Sequence, residues 1–216
     1  MNFVILIIAS YLLGSISFAV IIAKAHGKDL RQIGSGNVGA TNLSRAVGKK
    51  WGYFCFCLDV LKGFLPMFVG GRIISAPPGV LELFLWLIVG IAAVLGHIFP
   101  LYLKFKGGKG VATSFGIALG LWPYYTICAG VTFLAWIIVV LKWRYISLGS
   151  IVGSIVFPVS LIILTIAKPD WDFVHLWPLV LASVGIPVMV ILRHCENIKR
   201  ISAGTENKVF SKEASA

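Results

Sequence analysis

Charge is what this chain has least of. Asp, Glu, Lys and Arg make up 12% of its 216 residues, against 58% hydrophobic, and only eight residues are acidic. A soluble domain carries roughly 25% charged residues, so a water-facing shell cannot be assembled here and an integral membrane protein is expected. Cysteine is scarce too. Cys55, Cys57, Cys128 and Cys195 show no paired-ligand spacing and three fall inside apolar runs, which gives no basis for a zinc site or a disulfide framework. No Gly-x-Ser-x-Gly elbow and no clustered carboxylates occur, so neither a serine nucleophile, a metal nor a cofactor is expected. The formal net charge of +11 could fit nucleic acid, but the basic residues sit in short loops between apolar runs. That is the positive-inside pattern of a membrane protein, and no nucleic-acid partner is expected.

What is present is a series of long apolar runs. A helix needs about 20 apolar residues to cross the hydrocarbon. Seven segments qualify or nearly do: Asn2–Ala25, Trp51–Ile73, Val80–Leu103, Gly110–Pro123, Tyr124–Trp143, Tyr145–Ala167 and Phe173–Arg193. The first is too long for a signal-peptide core and lacks a basic start, so it reads as a mature span. The fourth is short and abuts the fifth at Trp122-Pro123, which would also fit a re-entrant hairpin with an interfacial turn. Alternate loops collect the positive charge. Lys24, Lys28, Arg31, Arg45, Lys49 and Lys50, then Lys104, Lys106 and Lys109, then Lys142 and Arg144, then Arg193, Lys199, Arg200, Lys208 and Lys212 share one side. Arg72 and Lys168 alone fall opposite. The expected fold is therefore an all-α membrane protein of seven transmembrane helices, N-terminus outside, C-terminus cytoplasmic, with cytoplasmic glycine-rich loops. Residues 1–206 read as one domain and 207–216 as a polar tail.

The polar chemistry is concentrated in those loops. Gly34-Ser35-Gly36-Asn37-Val38-Gly39-Ala40-Thr41-Asn42, with Arg45 beyond, joins backbone-freeing glycines to short donors and a planar cation, a set suited to an oxyanion such as phosphate. Its Gly-x-Gly-x-x-Gly spacing follows a hydrophobic helix rather than a strand, so it is not read as a dinucleotide fingerprint. Gly107-Gly108-Lys109-Gly110 opens the fourth segment as a phosphate loop would, with N–H groups at a helix start and Lys109 as a point charge. Leu103 and Gly110 stand where a Walker loop needs Gly and Ser/Thr, so nucleotide hydrolysis is not implied. Asp59 and Lys62 share a helical face inside the second segment and are expected to form a structural internal pair. His97 reads as a locally bonded helix-end residue, and His26 and His175 as surface residues. Arg144 and Ser147 form a short basic loop, with Ser147 a candidate ligand. Arg193, His194, Asn197 and Arg200 form a donor-rich face at the end of the seventh segment.

The two glycine motifs and Arg193-His194-Cys195-Glu196-Asn197-Ile198-Lys199-Arg200-Ile201-x-x-Gly204-Thr205-Glu206 together resemble the bacterial acyl-phosphate:glycerol-3-phosphate acyltransferase family. The resemblance implies a multi-pass enzyme of the bacterial cytoplasmic (inner) membrane, its site facing the cytoplasm, that makes lysophosphatidic acid and needs no cofactor. It would move a fatty acyl group from acyl phosphate to the 1-hydroxyl of sn-glycerol 3-phosphate, in the first acylation of phospholipid synthesis. The partners implied are the two substrates and the lipid bilayer, with room for a transient protein that supplies acyl phosphate. By the same resemblance Ser35, His194 and Asn197 are catalytic. Arg45 and Lys109 with Gly107, Gly108 and Gly110 are implied to bind substrate and Glu206 to be structural; the loop chemistry itself adds Gly36, Asn37, Gly39, Thr41, Asn42 and Ser147 as expected substrate-binding residues. The His-x-x-x-x-Asp pair of other glycerolipid acyltransferases does not occur. A small organic-phosphate transporter is the alternative, but it would place polar ligands within reach of both faces rather than on one.

Overall fold

The computed structural model describes residues 3–74 and 77–209. The expected start of the first span at Asn2, Lys212, and the tail from residue 210 onward lie outside the described residues. Among the described residues ten α-helices run in order: α1 Phe3–Ser15, α2 Phe18–Ala25, α3 Ala40–Val47, α4 Lys49–Gly71, α5 Val80–Ile98, α6 Val111–Gly120, α7 Tyr124–Trp143, α8 Ile146–Ala167, α9 Phe173–Leu192 and α10 Cys195–Ser202.

Among the described residues six stretches are long and apolar enough to cross a bilayer: Phe3–Ala25, Lys49–Gly71, Val80–Leu103, Tyr124–Trp143, Ile146–Ala167 and Phe173–Leu192. The expected fourth segment is α6, of 10 residues. At 1.5 Å per residue it spans ~15 Å, about half of the hydrocarbon thickness. The expected first span also differs: it is broken at Ile16-Ser17 into α1 and α2. Ile166 is 82% exposed, Val174 75%, Leu81 69% and Ile138 64%, and many other large apolar side chains face outward with them. Water would not tolerate so much apolar surface, but lipid matches it.

The described residues fall into two compact units. One takes the chain up to Pro78 together with Leu85–Leu121. Close approach through glycine builds it. In α1, Gly14 meets the carbonyl of Ala93, and in α5, Gly96 meets that of Tyr11. In α4, Gly63 meets the carbonyl of Thr113, and in α6, Gly116 meets that of Val60. A methyl at any of these four positions would collide with backbone, so small residues set the helix spacing here, as they do wherever helices must approach within lipid. The hydroxyl of Ser10 donates to the carbonyl of Val89 at 2.7 Å and the indole of Trp86 to that of Met67 at 2.7 Å, tying helices where water cannot satisfy either group. A buried cluster of Ala19, Ile22, Ala23, Leu30, Val38, Leu43 and Cys55 fixes α2, α3 and the loop between them against α4.

The second unit takes Gly79–Phe84 and the chain from Trp122 onward. Its α7 and α8 pack along Gly149, whose missing side chain admits Trp136 and Val140. Tyr125 is buried edge-on to Phe157, ring centroids 5.0 Å apart, and its hydroxyl donates to the carbonyl of Leu179. That bond links α7 to α9.

Candidate active site

Two polar centres stand out, one in each unit. In the first unit, the chain between α2 and α3 folds around Asn42. Its amide donates to the carbonyls of Leu30 and Ile33, both at 2.9 Å, and its Oδ1 accepts from the N–H of Ser35 at 3.1 Å. Asn42 is 1% exposed, so a side chain grouped by sequence with the substrate ligands acts in the structure as the peg of the loop. Gly34 (φ +58°) and Gly36 (φ +68°) take left-handed conformations that L side chains rarely adopt. The loop ends at Gly39, which caps the N-terminus of α3. Ser35, Gly36, Asn37, Gly39 and Thr41 are half-buried and Arg45 is exposed on the last turn of α3.

The second glycine loop follows α5. The N–H of Gly107 donates to the carbonyl of Ile98 at 3.0 Å, and that of Gly108 to the carbonyl of His97 at 3.2 Å. A side chain at Gly108 would run into the His97 imidazole, and one at Gly107 into the carbonyls of His97 and Ile98. Gly110 (φ +85°) turns the chain into α6, and Lys109 is half-buried between them. The two glycine loops are neighbours, because Val38 of the first and Gly108 of the second line one narrow crevice with Gly14, Ser15, Ile16, Ser17, Lys62 and His97.

Asp59 and Lys62 lie on α4 behind this crevice. The ammonium of Lys62 stands 2.8 Å from Asp59 Oδ1 and donates to the carbonyl of Ile16 at 2.8 Å. His97 Nδ1 is 3.7 Å from the same Asp59 oxygen. From sequence His97 reads as a locally bonded helix-end residue; the fold adds a carboxylate neighbour from another helix. Outside the crevice, Lys24, Arg31, Lys104 and Lys106 surround an open hollow of about 340 Å³ with Tyr102 and Leu103. Such a carboxylate-free rim attracts anions.

In the second unit the centre is Glu206. Gly204 (φ +69°) ends α10 and turns the chain back under it. Glu206 Oε1 accepts from Asn197 Nδ2 at 2.6 Å and from Ser147 Oγ at 2.7 Å, and Oε2 accepts from Arg200 Nε at 2.7 Å. Burial pushes this carboxyl up, but the hydrogen bonds from Asn197, Ser147 and Arg200, with the Arg200 charge, outweigh it and hold Glu206 below its ordinary value. Asn197 and Ser147, named by the sequence as catalytic and substrate-binding, are thus both drawn into a structural network. His194 precedes α10, is 2% exposed, and its Nδ1 lies 2.8 Å from the carbonyl of Val190. A carbonyl can only accept, so Nδ1 carries the hydrogen and donates it.

These arrangements have relatives. A family model described as glycerol-3-phosphate acyltransferase matches residues 4–204. Proteins named glycerol-3-phosphate acyltransferase from Aquifex aeolicus and Trichlorobacter lovleyi are 41% and 43% identical, over 94% of this chain and 97% and 95% of their own. A crystal structure of PlsY (YgiH), an integral membrane glycerol 3-phosphate acyltransferase in its glycerol 3-phosphate form, is similar with a TM-score of 0.81 and 40% identity. It covers 95% of this chain and 94% of that one. A lysophosphatidic acid form is similar with a TM-score of 0.79 and 38% identity, over 98% and 97%.

Proposed function

The chain belongs to the glycerol-3-phosphate acyltransferase family, and from that premise we propose how its residues divide the work. It is an integral membrane enzyme that acylates glycerol 3-phosphate to lysophosphatidic acid. The donor in this reading is an acyl phosphate. The observation that carries it is the pair of neighbouring glycine loops, Gly34–Gly39 and Gly107–Gly110: two anion cradles suit two phosphate-bearing substrates.

Lys109 and Arg45 hold the phosphate of glycerol 3-phosphate, with the N–H groups of Gly107, Gly108 and Gly110 around it. Ser35, Asn37, Thr41 and the N–H groups near Gly36 and Gly39 hold the acyl phosphate, while Asn42 keeps their loop in shape. An acyl phosphate is a mixed anhydride, so its carbonyl needs no covalent enzyme intermediate. The 1-hydroxyl oxygen attacks the carbonyl carbon, the bond from that carbon to the phosphate oxygen breaks, and the hydroxyl proton ends on the departing group, which leaves as inorganic phosphate. Alignment of the hydroxyl at near-attack distance can supply ~7–11 kcal/mol. One well-placed donor to the developing oxyanion adds ~3–4 kcal/mol, the role given to Ser35. His194 orients the attacking hydroxyl, and Asn197 acts through Glu206 to hold the helix that His194 precedes.

Residues 1–206 form one catalytic domain in this reading. The charge asymmetry favours seven crossings, with α6 counted as a half-length crossing against α4, the N-terminus outside and the chemistry at the cytoplasmic face of the bacterial inner membrane. In a variant whose native cysteines are replaced by serine, Lys208→Cys should react with a membrane-impermeant maleimide only in inside-out vesicles and Lys168→Cys only in right-side-out ones. The reverse pattern would invert the orientation.

Donor chemistry gives the direct test. Palmitoyl phosphate should support acylation by the purified protein, and palmitoyl-coenzyme A at the same concentration should give under 1% of that rate. Equal use of the thioester would remove the second phosphate from the account.

A further inference from the structure

We propose that Asp59, Lys62 and His97 are positioning residues that pin the Gly107–Gly110 loop for the acceptor phosphate; the proposal rests on the assignment of that loop to glycerol 3-phosphate. The pair lies 10–13 residues into α4, roughly 15–20 Å along its axis and near the middle of a helix long and apolar enough to cross a bilayer. Asp59 is 3% exposed, Lys62 1% and His97 8%. Packing alone does not account for such a set, because a buried ion pair replaced by apolar residues of like volume is often no less stable. Ionisable groups at this depth mark function.

The contacts indicate what the set does. Lys62 reaches the broken first span. Its ammonium takes the carbonyl of Ile16, freed where α1 gives way to α2, and packs 5.6 Å over the Phe18 ring. From there the chain of contacts runs to Asp59 at 2.8 Å and on to His97 Nδ1 at 3.7 Å. His97 then meets the loop twice: its ring backs Gly108, and its carbonyl accepts from the Gly108 N–H at 3.2 Å. One side of the network thus fixes the wall of the crevice at Ile16. The other fixes the residue next to Lys109. The spacing of the crevice and the aim of Lys109 are set together.

Steady-state kinetics on His97→Phe, Asp59→Asn and Gly108→Ala, with Lys109→Ala alongside, tests this. His97→Phe keeps a ring against Gly108 but loses the nitrogen facing Asp59. Asp59→Asn keeps the shape and loses the charge. Gly108→Ala pushes the loop off the imidazole without touching the ion pair. All three should raise KM for glycerol 3-phosphate at least tenfold, with kcat and KM for palmitoyl phosphate changed less than threefold. A merely structural role would instead lower kcat in proportion to lost folded protein and leave both KM values alone, and that result overturns the proposal. If one variant fails to fold, the other two carry the same reading. If Lys109→Ala raises KM for glycerol 3-phosphate while these three do not, the pinning role falls and the loop assignment stands. If Lys109→Ala also leaves that KM unchanged, the loop assignment and the pinning role fall together.

Discussion

Replacing Lys109 with alanine should reduce kcat/KM for glycerol 3-phosphate on the order of 100-fold. The side chain is half-buried between two pinned glycines and the N-terminus of α6, so in the proposed role its ammonium would meet a phosphate partly screened from water. A hydrogen bond to a charged group contributes about 1.5–3 kcal/mol, and each ~1.4 kcal/mol is a factor of ten. The backbone N–H groups survive the substitution, which keeps the loss finite. It should appear mainly in KM for the acceptor, because the phosphate is bound in both ground and transition states. Lys109→Arg should recover part of the loss by keeping the charge, though its planar fork does not reproduce a point donor. An unchanged acceptor KM in Lys109→Ala would take the phosphate away from this loop.

The second large effect is on folding. Glu206→Ala should destabilise the protein by about 2–6 kcal/mol, since buried Asn197 and Ser147 each lose this acceptor and an unmet buried donor costs ~1–3 kcal/mol. Arg200 is part-exposed and can turn to water, so it adds little. The same carboxylate gives the stability a direction in pH. Its folded pKa lies below its unfolded value, so its contribution is fully present above the unfolded value of about 4.3 and is lost as pH falls through the folded one. Thermal unfolding of the parent protein in detergent should weaken on acidification below that range. Glu206→Gln should start from a lower Tm at neutral pH and show a shallower decline. Parallel curves for the two proteins would contradict the charge-based account of the network. Because α10 follows His194 directly, Glu206→Ala should also lose activity at temperatures where it remains folded.

The long helices are legible in the sequence because apolar run length alone specifies them, and their bounds differ from the expected ones by only a few residues. The break at Ile16-Ser17 is not legible in the same way. Both halves are apolar, and the carbonyl it frees is satisfied by Lys62 from α4, which no local pattern reveals. The fourth segment reads as a crossing because its apolar run continues to the Trp122-Pro123 turn; the helix itself stops at Gly120. The polar loops stand out in the sequence by composition, but how the side chains within them are bonded depends on distant atoms. Asn42 is bound to the carbonyls of Leu30 and Ile33, and Ser147 and Asn197 to Glu206. Sequence marks such residues as polar and grouped. It does not show which of them have spent their hydrogen bonds on the chain itself. The approach of His97 to Asp59 is equally hidden, since the packing of α4 and α5 brings the two within 3.7 Å.

The central claim is that this protein joins two phosphate-bearing substrates in one acyl transfer. The measurement that tests it most directly is inorganic phosphate release by the detergent-purified protein given palmitoyl phosphate, with and without sn-glycerol 3-phosphate, with lysophosphatidic acid quantified in the same samples. The account predicts release that requires the acceptor and matches lysophosphatidic acid one for one. Release that proceeds equally without the acceptor, or acceptor bound and carried across vesicles with no acylated product, would contradict it.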